Sequence, residues 1–281
     1  MRLARIATPE GRVVLARIED DKAVPLATEA EGPTADVLRE ALAGGVDLTS
    51  TAAAPLVLDD CTLLSPVRNP SKVLAIGLNY ADHARESGLE PPKAPVTFVK
   101  TNNSIAGPGE PIRWRGTDSA EVDYEAELAV VIGTRATNVS VDDALGHVLG
   151  YTCCNDVSAR DAQFADGQWI RGKSFDTFCP LGPWIVTADE IPDPQALDIR
   201  CRVNGETLQD STTAEMIFGV AEIISYLSQY LTLEPGDVIA TGTPVGVGFA
   251  RDPQVFLGDG DVVEIEVEGI GVLTNPVEVA S

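Results

Sequence analysis

The sequence predicts a β-rich α+β fold. Three observations lead there. Apolar segments of strand length outnumber helical ones, helices do not alternate with strands as a doubly wound sheet demands, and only residues 214–231 carry a clear helical period. Taken in order, residues 6–7, 13–18 and 23–26 are short strand candidates, split by Gly11-Arg12 and Asp20-Asp21-Lys22. Residues 31–42 read as a helix, with Thr34 as N-cap and Gly44-Gly45 past its end. A Thr/Ala/Pro stretch follows at 49–55. Residues 1–65 are therefore expected to form a small N-terminal α+β module, and residues 66–281 the main domain.

In that domain residues 72–77, 96–100, 126–132 and 150–155 read as strands, and residues 80–87 as a short polar helix or loop broken by Gly88 and Pro91-Pro92. In the 214–231 helix, Met216, Ile217, Val220, Ile223, Ile224, Leu227 and Leu231 fall on one face, and Thr212 and Glu215 have capping-box spacing. After the turn Glu234-Pro235-Gly236-Asp237, residues 237–241, 261–267 and 271–273 are strand-like.

The 281 residues carry a net charge of −23 and show no basic patch, which argues against a nucleic-acid partner. No apolar run is long enough to span a membrane, and the first residues lack the apolar core of a signal peptide, so a cytoplasmic protein without membrane contact is expected. The acidity itself reads as a solvated surface. Five cysteines without a C-x-x-C pair read as free, buried thiols.

The most informative stretch is Val122-Asp123-Tyr124-Glu125-Ala126-Glu127, at the head of an apolar strand. Residues two apart in a strand share a face, so Glu125 and Glu127 project side by side, roughly 6.6 Å apart at about 3.3 Å per residue. Burying two carboxylates together requires a cation, a shared proton or basic partners. Asp156, where the 150–155 strand runs out, offers a third hard oxygen, and such a set suits Mg²⁺ or Mn²⁺ better than Zn²⁺. Arg160, Gln163 and Lys173 follow closely, as groups that bind a carboxylate or an oxyanion; a partly buried Lys173 beside a metal is expected to have a lowered pKa. His83 and Glu86 are three apart and meet on a helical turn as an oriented general base. His147 reads as incidental. The small-residue loop Thr241-Gly242-Thr243-Pro244-Val245-Gly246-Val247-Gly248 reads equally as a cradle for a substrate carboxylate or as a plain turn. Gly167 to Ser174 fits a phosphate-binding loop pattern, yet it neither follows a buried strand nor opens a helix, so nucleotide binding is rejected.

These motifs lie in a recognisable order. Gly77-Leu78-Asn79-Tyr80-Ala81-Asp82-His83, Asp123 to Leu128, Asn155 to Gln163, Gly172-Lys173-Ser174-Phe175-Asp176 and Gly236 to Pro244 together resemble the fumarylacetoacetate hydrolase superfamily, in particular bacterial members with a small N-terminal module. The resemblance implies a mixed β-roll, a homodimer, and Mg²⁺ or Mn²⁺ on Glu125, Glu127 and Asp156. It implies that Arg160, Gln163 and Thr243 bind substrate, and that His83, Glu86 and Lys173 are catalytic, the first two on a lid at residues 80–92. The implied activity is hydrolysis of a C–C bond in a 2,4-dioxo acid such as an acylpyruvate, fumarylpyruvate or a diketo sugar acid. The alternative is an oxaloacetate-type decarboxylase or a 2-hydroxyhepta-2,4-diene-1,7-dioate-type isomerase at the same site. Leu78 stands where many relatives carry Arg. A non-catalytic acidic metal-binding protein would need none of Arg160, Gln163, Lys173 and His83.

Overall fold

The computed structural model describes residues 1–30, 36–45 and 47–280. Their dominant element is a twelve-stranded sheet. Its main path runs Leu56–Val57, Lys22–Thr28, Val13–Glu19, Arg2–Ala7, Cys179–Thr187, Val148–Asn155, Ala126–Ile132, Val238–Ala240, Val73–Gly77, Val96–Lys100. A second sheet of five strands runs Glu206–Thr212, Asp198–Val203, Val262–Val267, Gly271–Ala280, Ile112–Arg115. Most pairs are antiparallel, but Val238–Ala240 runs parallel to Val73–Gly77 and Gly271–Ala280 parallel to Ile112–Arg115. The fold is thus the β-rich, mixed arrangement that the sequence predicts.

The central strand Ala126–Ile132 is buried at all seven positions. Its even-numbered Leu128, Val130 and Ile132 join a core shared with Ile199, Cys201, Val263 and Ile265 of the second sheet. Ala129 and Val131 face the other way, into a core with Leu3, Leu15, Leu38 and Ile185. A strand covered on both faces has no polar alternation, which is why it reads as a continuous apolar run.

The N-terminal strands continue the large sheet: Arg2 pairs with Val186 and Leu3 with Ile185. The Glu29 carboxylate links them onward, accepting from Arg5 Nη2 at 2.9 Å and pairing with Arg68 Nη1 at 2.7 Å. The helix expected over 31–42 is Val37–Gly44, capped by Asp36, whose Oδ1 accepts from Arg39 N at 3.1 Å. Thr34 lies outside the described residues. Gly45 closes the helix at φ 66°, a left-handed conformation that costs glycine little.

Two expectations need correction. The 214–231 helix is split: a 3₁₀ turn at Thr213–Glu215, then an α-helix only at Val220–Ser228. The intervening residues leave the helix because the backbone beside the site claims them. Ile217 N donates to Asn79 O at 2.7 Å and Phe218 N to Asn79 Oδ1 at 2.9 Å. Thr212 caps only the short turn, while Glu222 returns to Gly219 N at 2.8 Å to start the α-helix. The second correction is Cys179–Thr187, a strand in the middle of the large sheet hidden by Pro180, Gly182 and Pro183. The cysteines are free thiols, buried except for half-buried Cys61.

Candidate active site

The head of Ala126–Ile132 and the tail of Val148–Asn155 meet at one end of the sheet, since Ala126 pairs with Asn155. Glu125 and Glu127 flank that head and Asp156 follows the tail. Two bonds set the junction: Glu125 N donates to Asn155 Oδ1 and Asp156 N to Glu125 O, each at 3.0 Å. One carboxylate oxygen from each of Glu125, Glu127 and Asp156 lies within 4.8 Å of the others, and all three residues are buried.

Cations surround this triad. Lys173 Nζ donates to Glu125 Oε2 at 2.7 Å and to Asp156 Oδ2 at 2.8 Å. Arg160 pairs through Nη1 with Glu125 Oε1 at 2.7 Å and donates through Nε to Asp123 Oδ2 at 2.8 Å. Its Nη1 also reaches Gln163 Oε1 at 3.0 Å. Two partners were not assigned a role from sequence. Lys100 Nζ, fully buried, donates to Asp156 Oδ1 and to Val157 O. Asp123, also buried, anchors Arg160. Lys100 ends the strand Val96–Lys100 and its only sequence signal is a charge closing a strand; Asp123 sat inside a quoted motif without a local pattern marking it.

The charges are unequal in their effects. Burial alone would raise the Glu125 carboxyl, but Lys173 and Arg160 hold it below the ordinary range. Glu127 lacks such a partner: burial and the nearby Asp156 and Glu125 push it well above its usual value. The lowered pKa expected of Lys173 was that of a lysine beside a metal; against the carboxylates alone burial pulls the ammonium down, but Asp156 and Glu125 outweigh that and raise it.

Three N–H groups of the loop after Val238–Ala240 serve the chain's own acids. Gly242 N donates to Glu127 Oε2 at 2.9 Å, Gly246 N to Glu86 Oε1 at 3.0 Å, and Gly248 N to Asp123 Oδ1 at 2.7 Å. Glycine is needed for this close approach: a Cβ at Gly246 would lie 2.3 Å from Leu208 O and one at Gly248 1.8 Å from Val255 O. Thr243 Oγ1 accepts from Gln209 Nε2 at 2.9 Å and the residue lines the cavity.

On the opposite wall, the helix Ala81–Glu86 carries His83, whose Nδ1 lies 3.2 Å from Glu86 Oε2. The helix is tied down by Ser211 Oγ, which donates to Asp82 Oδ2 at 2.6 Å. Leu78 leads into it at φ 55°, an unusual conformation for a residue with a branched side chain. His83, Glu125, Glu127, Arg160, Gln163, Lys173 and Thr243 converge on one cavity of about 380 Å³. Glu86 stands behind His83, and Asp156 behind Lys173. His147 is elsewhere, with Nδ1 3.0 Å from Thr134 Oγ1. The phosphate-loop pattern covers the short helix Ile170–Lys173 and no strand precedes it.

Comparison with known proteins now bears on this geometry. The fumarylacetoacetate (FAA) hydrolase C-terminal family matches residues 72–278. The chain belongs to the fumarylacetoacetate hydrolase family. A mitochondrial oxaloacetate tautomerase of Xenopus laevis is 52% identical over 218 residues, 77% of this chain and 68% of the relative. Among solved structures, a 2-hydroxyhepta-2,4-diene-1,7-dioate isomerase from Mycobacterium marinum is 42% identical with a TM-score of 0.81, covering 99% of this chain and 98% of its own. A fumarylacetoacetate hydrolase from Exiguobacterium antarcticum is 39% identical with a TM-score of 0.87, covering 99% and 100%.

In this member of the fumarylacetoacetate hydrolase family the triad fits a divalent cation. The donors are hard carboxylate oxygens, and Glu127 is pushed toward its neutral form by burial and by two like charges, the latter of which a dication would compensate. The family match begins at residue 72, and the strands before it extend the same sheet. No helix among the described residues is long and apolar enough to cross a membrane.

Proposed function

We propose that this protein is a Mg²⁺- or Mn²⁺-dependent enzyme that enolises a 2-oxo acid, returning the proton at a different atom as a tautomerase or isomerase does. The observation that supports it is the convergence of Glu125, Glu127 and Asp156 with Lys173, in a cavity that also holds His83. Glu125, Glu127 and Asp156 would hold the metal, which when bound supplies positive charge against the carboxylate and keto oxygens of the acid. Lys173 has two of its three N–H bonds on Glu125 and Asp156, leaving one for a substrate oxygen that gains negative charge. Gln163 spends its carbonyl on Arg160, so its amide N–H groups remain as donors. With Nδ1 turned to Glu86, His83 has Nε2 free to take the proton from the carbon beside the keto group and to deliver it to a different atom of the same acid.

A second reading, hydrolysis of a 2,4-dioxo acid, is favoured by the same His83–Glu86 pair. There His83 would take a proton from water, the hydroxide would add to the distal carbonyl, and the C–C bond would break with the electrons leaving as an enolate that is then protonated. The names of the relatives fit the first reading better. Both share the residues, so products decide: enol absorbance and proton–deuterium exchange report tautomerisation, and a shorter acid plus a pyruvate-like fragment reports hydrolysis. Replacing Glu125 by Gln should abolish either activity together with Mn²⁺ binding; full activity in that variant would remove the site assignment. A homodimer and a cytoplasmic setting belong to the same proposal, the first open to light scattering. Neither nucleic acid nor membrane enters it.

A further inference from the structure

The cavity has two unlike halves. At its inner end each cation already has carboxylate partners: Lys173 pairs with Glu125 and Asp156, Arg160 with Asp123 and Glu125. From each of these cations an aromatic pair leads outward. Lys173 Nζ sits 5.1 Å over the ring of Phe98, which meets Trp169 edge-on with centroids 5.4 Å apart. Arg160 Cζ sits 4.4 Å over Phe249, which meets Phe164 edge-on at 5.5 Å. All four rings line the cavity, and Leu89 completes its outer wall. Phe164 is 61% exposed and Leu89 54%, so the mouth of the cavity presents apolar side chains. Lys173 and Arg160 are the only Lys or Arg among the lining residues, and the one histidine, His83, is paired with the Glu86 carboxylate, so that pair carries no net positive charge in any state with Glu86 ionised.

Within the 2-oxo acid reading above, on which this step rests, we propose that the outer half of the cavity binds an uncharged, apolar tail of aromatic size. The substrate is then a monocarboxylate: its one carboxylate goes to the inner end and the tail lies among Phe98, Phe164, Trp169 and Phe249. A second carboxylate at the outer end would be desolvated against rings with no cation to receive it. The volume of about 380 Å³ leaves room for such a tail beyond a three-carbon acid core.

The test is a calorimetric titration of the full-length, Mn²⁺-loaded protein with stable analogues that share one chelating core. The probes are oxamate, N-benzyloxamate and N-(4-carboxybenzyl)oxamate. The benzyl tail is expected to tighten binding about 10- to 100-fold over oxamate, and the added carboxylate to cancel that gain. Phe164→Arg and Leu89→Arg, at exposed positions where the fold is little burdened, should each weaken the benzyl ligand and strengthen the carboxybenzyl one; circular dichroism checks that both remain folded. Equal or tighter binding of the carboxybenzyl ligand by the wild-type protein overturns the inference, and so does a benzyl ligand no tighter than oxamate. In both of those cases oxamate still binds and the 2-oxo acid reading survives. If none of the three binds, the reading falls and the inference with it.

Discussion

Replacing Lys100 by Met removes a buried cation while nearly conserving volume. Lys100 is completely enclosed, and its Nζ donates to Asp156 Oδ1 and to Val157 O at 3.3 Å. Breaking a buried pair by deleting one partner costs about 3–5 kcal/mol, because the survivor keeps its desolvation penalty. Asp156 still holds Lys173 at 2.8 Å, so the lower end, about 3 kcal/mol, is expected. At roughly 2–4 °C per kcal/mol for a chain of this size, the midpoint of thermal unfolding should fall about 6–12 °C. The assay is differential scanning calorimetry on protein stripped with a chelator, so that no metal masks the loss. Lys100→Met, Asp156→Asn and the double variant close a cycle. The amide needs no cation, so the double variant should lose less than the two singles together, by more than about 1 kcal/mol. A shift of the single variant below about 2 °C, or additivity within about 0.5 kcal/mol, would show that the pair is not coupled as argued.

Three further outcomes are expected. Gly172→Ala places a Cβ 2.6 Å from Gln163 N and 2.8 Å from Ala159 O, backbone that cannot yield, so the helices bearing Gln163 and Lys173 must part. About 1–3 kcal/mol of stability should go, along with most of the turnover; an unchanged unfolding midpoint would contradict the contact. His83→Ala should lower turnover about 10²- to 10⁴-fold with Mn²⁺ binding intact, and an unaffected rate would exclude His83 as the proton carrier. Glu29→Gln should destabilise the protein at neutral pH and progressively less in acid. Burial raises the Glu29 carboxyl, but Arg5 and Arg68 outweigh it and hold its folded-state value below that of the unfolded chain. The stability it adds is therefore complete above the unfolded pKa of about 4.5 and disappears as pH falls through the lower folded value. Urea denaturation at several pH values would show a penalty that does not shrink if this linkage is absent.

The acidic triad was legible because its residues are tied to local patterns. Glu125 and Glu127 flank one alanine at the head of an apolar strand, and Asp156 ends another. Lys100 and Asp123 were not, since each acquires meaning only from a partner far along the chain: Lys100 from Asp156, and Asp123 from Arg160 and Gly248. The Cys179–Thr187 strand escaped because proline and glycine erase the pattern on which a strand is recognised, while its neighbours on both sides still pair with it. The 214–231 helix was overextended for the opposite reason. Its apolar period continues through Met216 and Ile217, but Asn79 captures the backbone there.

By itself the sequence determined the β-rich class, the family, the acidic triad and the spacing that lets His83 meet Glu86. These depend on period, composition and short-range order, which a linear chain displays directly. Only the tertiary structure decided the pairing of Lys173 with Glu125 and Asp156, the employment of the glycine loop by the protein's own carboxylates, and the two aromatic pairs that line the way out of the site. Burial sets all three. It makes an electrostatic partner strong enough to reverse a pKa, makes an unpaired acid seek a backbone N–H, and leaves an apolar wall where no cation can wait for a second negative charge.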